Sequence, residues 1–192
     1  MRGNTIASFT LLLSVMGSLY GQDCVDLENA PSERLVSFLE RIVPNDQNSK
    51  CVTFAIKALG DRQFKPAVGV LTRLLDFRRP PSEEERAGVV TLHTFYPATT
   101  ALEQIGRSSL PLVLKAIKSS STSAKARENA VDVWMETYKY NRPEGVASLK
   151  RAATEASESS AKERMDWALS YALRWCGPGD MPKCKRAAGM DN

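Results

Sequence analysis

Apolar side chains in this chain return every three or four residues, in short runs closed by proline or glycine. Leu35, Phe38, Leu39 and Ile42 sit at i, i+3, i+4 and i+7, and Val52, Ala55, Ile56 and Leu59 repeat that spacing. At 3.6 residues per turn each set forms a single apolar stripe on a helix. No segment sustains a period of two. Val89-Val90-Thr91-Leu92 comes nearest, and four residues without a partner make a poor strand. The pattern therefore predicts an all-α fold.

Start and stop signals cut the pattern into about eight helices. Ser32 opens the first and Pro44 follows it; Ser49 precedes the second and Gly60 suits its left-handed C′ position. A third runs from about Pro66 to Asp76, with Val68, Leu71 and Leu75 inward. Pro97 opens a helix carrying Ala98, Ala101, Leu102 and Ile105, which Gly106 closes. Ser108 or Ser109 caps the next, with Leu110, Val113, Leu114 and Ile117 inward. Ser123 leads into a longer helix with Ala130, Val133, Trp134 and Thr137 on one face. Asn141 with Glu144, and Ser160 with Glu163, read as capping boxes for the last two.

These helices come in pairs that look alike. Ala58-Leu59-Gly60 is followed by Pro66-Ala67-Val68, Gln104-Ile105-Gly106 by Pro111-Leu112-Val113, and Glu136-Thr137-Tyr138 by Pro143-Glu144-Gly145. Each is a helix end, a short turn and a helix begun by proline. A unit recurring at about 30–45 residues points to stacked helix pairs that share one continuous core. With Leu71…Leu74-Leu75-Asp76 and Val113-Leu114-Lys115-Ala116-Ile117 added, the chain resembles the HEAT-like repeat family, in its short bilin-lyase-type form. The resemblance spans roughly residues 50–176. It implies a short right-handed α-solenoid of about three helix pairs with flanking helices, and a role in holding partners. It implies no particular reaction.

Met1–Tyr20 reads as an export signal. Arg2 is the only charge before Asp23; Ile6 to Met16 is apolar, and Gly17, Ser18 and Gly21 supply small residues for cleavage. The apolar stretch is too short to span a bilayer. The expected organisation is a signal peptide over 1–21, a solenoid domain over 22–176 with an insertion at 77–96, and a tail over 177–192. Secretion or a periplasmic location follows, with no stable membrane insertion once the signal is removed.

All four cysteines fall after the signal, where an oxidising compartment favours disulfides. Cys176 and Cys184 bracket a turn-rich Gly-Pro-Gly segment, which leaves Cys24 for Cys51. An extended run 24–31 can lie back along the first helix and reach Cys51, because extended chain covers more length per residue than helix. The wide cysteine spacing argues against a zinc site, and no C-x-x-C pair suggests redox chemistry.

Little else points to chemistry. No Walker loop, GxGxxG, HExxH or GxSxG motif occurs. His93 is the sole imidazole and has no evident nucleophile beside it. Trp134, Tyr138, Trp167, Tyr171 and Trp175 lie at helical spacing; core packing between the last helices is the expected reading, and the alternative is that one or two line a groove and bind a hydrophobic ligand or peptide. A net charge of +4 among 26 basic and 22 acidic residues gives no reason to expect a nucleic-acid partner. The insertion is longer than packing requires. Its Phe77, Arg78, Arg79, His93, Phe95 and Tyr96 form the candidate interaction loop. The expected function is a non-enzymatic scaffold that binds a protein or peptide outside the cytoplasm, with no cofactor and no metal. A small-molecule or cofactor-binding protein with lyase-like activity is the alternative that the bilin-lyase resemblance suggests.

Overall fold

The computed structural model describes residues 24–81, 85 and 95–190. The signal segment, its cleavage site, His93, Val89–Leu92 and the rest of the insertion between 82 and 94, Glu85 excepted, lie outside the described residues. Every regular element among the described residues is helical. A single turn α1 (Val25–Glu28) leads into α2 (Ser32–Arg41), α3 (Ser49–Asp61), α4 (Val68–Arg73), α5 (Pro97–Ile105) and α6 (Leu110–Lys118). There follow α7 (Ala124–Thr137), α8 (Arg142–Thr154), α9 (Ser159–Ala172) and α10 (Met181–Ala188). Short 3₁₀ turns at Lys65–Ala67, Gly106–Ser109 and Leu173–Trp175 adjoin α4, α5 and α9.

Neighbours follow chain order. α3 packs on α5, α5 on α7, and α7 on α9. α2, α4 and α6 lie beside one another in a second row, and α8 packs on α10. Across the rows α2 meets α3, α4 meets α5, α6 meets α7 and α8 meets α9. The stripes read from the sequence meet in one core that includes fully buried Leu35, Ile56, Leu59, Leu71, Leu102, Ile117 and Leu149.

The central helix departs from its expected single face. In α7 the residues from Asn129 through Met135 are all buried, because α5, α6 and α9 surround it. Burying its polar members needs partners. The Asn129 side-chain amide donates to the Leu75 carbonyl at 2.6 Å, and the Asp132 carboxylate accepts from the Trp175 indole at 2.9 Å.

Several caps differ from expectation. Gly60 does not end its helix: α3 continues through it to Asp61, and the left-handed residue is Gln63, with φ 48°. A Cβ at Gly60 would stand 2.7 Å from the Ala101 Cα, so close approach of α5, not chain reversal, is what requires glycine here. Gly106 does close α5 at φ 73°. Ser123 caps α7 by accepting from the Ala126 amide at 3.1 Å. The two capping boxes do not form. The Asn141 side chain donates to the Glu144 carboxylate and not to the backbone, and α9 begins one residue early, at Ser159, with Glu158 as its cap.

Both expected disulfides are present. Cys24 bonds Cys51, with Cα atoms 5.2 Å apart, and Cys176 bonds Cys184, at 6.6 Å. The chain between Cys24 and α2 is not wholly extended, since α1 forms a turn within it. The tail is also more than a clipped loop. It forms α10, with Pro182 in its first turn, and buries Cys184 and Ala188 against α8. No helix of the described residues is long and apolar enough to cross a membrane.

Candidate binding groove

One continuous face of α3 is left uncovered by its helical neighbours. Lys50, Thr53, Phe54, Lys57 and Asp61, spaced i, i+3, i+4, i+7 and i+11, line a groove of about 1070 Å³. Pro97, Thr100, Ala101 and Gln104 of α5, spaced i, i+3, i+4 and i+7, form the opposite side. Arg79, Pro80 and Pro81 make a wall, and Asp46 and Gln47 line the groove just ahead of α3. The tight Gly60–Ala101 crossing holds the two helices together beneath it, and Gln104 donates to Asp61 at 3.1 Å. Lys50 and Lys57 are exposed and make no ion pair among the described residues.

The candidate loop divides between two places. The Arg79 amide donates to the Phe95 carbonyl at 3.0 Å, which ties the two ends of the insertion together. The guanidinium groups of Arg78 and Arg79 lie 5.4 Å and 5.6 Å from the Phe95 ring centroid, and Arg79 also pairs with Glu85. Cation–π contact and backbone pairing thus close a neck that sets the wall of the groove. Phe77 turns inward and packs on the core. Tyr96 belongs elsewhere, to a second and smaller pocket.

That pocket, of about 300 Å³, is lined by Tyr96, Lys125, Asn129, Asp132, Tyr171, Arg174 and Trp175. Lys125 sits 5.7 Å from the Tyr96 centroid and Arg174 sits 5.0 Å from that of Tyr171. Burial first, and then the nearby Asp132 carboxylate, pushes the Tyr171 phenol up to about 12, so it stays a hydrogen-bond donor. The aromatic series therefore splits. Trp134 is buried and its indole donates to the Gly145 carbonyl at 3.1 Å, while Tyr138 packs on the core. Tyr171 and Trp175 line the pocket, and Trp167 is partly exposed and stacked on Tyr171. The groove residues of α3 and α5 carried no signal beyond their polar helical faces. Only the wall residue Arg79 was singled out by sequence.

A buried carboxyl lies close by. Glu103 of α5 is pushed up to about 8, chiefly by burial and then by Glu136 and Asp132 of α7, with Lys139 opposing. All four cysteines are in disulfides. Among the described residues no group of three His, Cys, Asp or Glu side chains is placed to hold a metal ion. Compared with known proteins, the chain matches no family model, no curated protein and no solved structure.

Proposed function

We propose that this protein is an exported, non-enzymatic α-solenoid of HEAT-like helix pairs that binds a peptide or an extended protein segment in the α3–α5 groove. The groove's size and shape carry this reading. At about 1070 Å³, open and running along both helices, it stands at the top of the ~300–1,000 Å³ usual for small-molecule pockets. Repeat arrays use such long faces to hold polymers. The helix-on-next-helix neighbour order supports the solenoid, and the two disulfides support an oxidising compartment, secreted or periplasmic. Display of random ten-residue peptides against the oxidised mature chain tests the reading. Recovery of binders that a groove-filling Thr100→Trp variant no longer retains is the expected result. Equal recovery on both proteins would reject the groove.

The Tyr96–Trp175 pocket favours the second reading, a small-molecule-binding protein. Its aromatic walls and convergent polar groups suit a single small ligand, and its volume is at the lower end of that range. A mass-shifted native protein, returned to the chain mass on denaturation, would move the assignment there.

A further inference from the structure

The charges in the α3–α5 groove are arranged by position. Lys50, in the first turn of α3, and Lys57, two turns on, line the groove from one face of that helix, seven residues apart. At 1.5 Å per residue that separates them by about 10 Å along the axis. The acidic residues flank them along the chain: Asp46 just ahead of α3, and Asp61, which accepts from the Gln104 amide, as its last residue. Neither lysine makes an ion pair among the described residues, and both are exposed along the groove. The rest of the lining mixes apolar Phe54, Pro80, Pro81, Pro97 and Ala101 with the hydroxyls of Thr53 and Thr100 and with Arg79, whose guanidinium pairs with Glu85.

We infer that the groove takes an extended acidic peptide with two carboxylates three residues apart. This rests on the peptide-binding reading above. A chain in the polyproline II conformation turns once every three residues and rises about 9.3 Å in doing so, which returns every third side chain to the same face at nearly the lysine spacing. Phe54 suits such a segment, because aromatic-lined grooves accept its stiff, unpaired backbone. The length of α3, about 20 Å, accommodates about six extended residues. An acid beyond either end of the pair meets Asp46 or Asp61, so the favoured ligand is acidic in its centre only.

Sequencing the peptides retained from the random library tests the charge rule separately from the groove. Enrichment of Glu or Asp pairs at a spacing of three is expected, lost in Lys50→Gln/Lys57→Gln and converted to a preference for Lys or Arg in Lys50→Glu/Lys57→Glu. Fluorescence anisotropy with one enriched acidic peptide and its glutamine counterpart gives the magnitude. Two exposed ion pairs predict roughly two- to thirty-fold tighter binding of the acidic form, with the advantage shrinking as salt rises. Peptides retained through the groove without acidic enrichment would overturn this inference and leave the peptide-binding reading intact. No groove-dependent retention would overturn both. The substituted positions are solvent-exposed, and unchanged helical circular dichroism verifies that each variant is folded.

Discussion

Gly60 shows how a single residue serves a purpose other than the one its sequence context suggests. Glycine at the end of an apolar run reads as a helix stop, yet here it removes a side chain where α5 crosses α3. Gly60→Ala should destabilise the fold by about 1–3 kcal/mol despite better helix propensity, because the Cβ would press on the Ala101 backbone. Gly69→Ala in α4, where nothing lies within 4 Å, should instead stabilise by about 0.5–1 kcal/mol. Urea denaturation of the pair reads both signs, and a stabilised Gly60→Ala would refute the close-approach account. Glu103 makes a second case. Its folded pKa of about 8 exceeds the unfolded value near 4.5, so the folded protein holds this proton longer than the unfolded chain does. The contribution is fully present below pH 4.5 and is lost as pH rises towards 8. Glu103→Gln, which stays neutral, should therefore match the wild type near pH 4.5 and be more stable at pH 8.5, by on the order of 2 kcal/mol. Melting curves at the two pH values check it; a gain that does not grow with pH counts against a buried, proton-holding carboxyl. Nothing in the sequence marks Glu103, because its neighbours Asp132 and Glu136 come from another helix.

At the scale of elements, strong stripes were legible and weak ones were not. α2, α3 and α5 each carry four apolar residues at helical spacing, and each forms close to its expected bounds. α10 was missed because its apolar face is little more than Cys184 and Ala188, with the disulfide and contact with α8 making up the rest. The groove escaped notice for a similar reason: Lys50, Thr53, Lys57 and Thr100 look like any solvated helix face until α3 and α5 are set side by side. Helix ends also depend on residues far along the chain. The carbonyls that close α6 and the turn after it are satisfied by α7 and α9: Arg127 donates to the carbonyls of Ile117, Ser119 and Thr122, and Arg164 to that of Lys118. Truncating Arg127 would leave three acceptors to find water or go without. Arg127→Met should cost about 1–3 kcal/mol, and Arg127→Lys, which restores the charge but not the fork, should recover only part of it. Chemical denaturation of the three proteins decides; equal stability of the methionine variant and the wild type would show that the α6 terminus needs no such cap.

The whole molecule turns on whether neighbours alone hold each helix in place. Each bridge closes a loop near one end of the described chain, 27 residues long at Cys24–Cys51 and 8 at Cys176–Cys184. On loop length the first should contribute about 3–4 kcal/mol and the second about 2–3 kcal/mol. Where most helix contacts run to the next and next-but-one element, with α6 on α9 reaching three on, that loss should be felt first at the end where it occurs. Hydrogen exchange should therefore show Cys24→Ser/Cys51→Ser opening α1 and α2 while α6 and α7 keep their protection. Cys176→Ser/Cys184→Ser should free α10 and loosen α8 in the same local way. A protein folding around one indivisible core would respond differently, with protection falling by the same amount in every helix whichever bridge is cut. That outcome would remove the stacked-row account and, with it, the reason to expect a long shared face for a polymer ligand. Local opening would leave the α3–α5 groove rigid between its neighbours, which is the condition under which two lysines on one helix face can measure the spacing of two carboxylates.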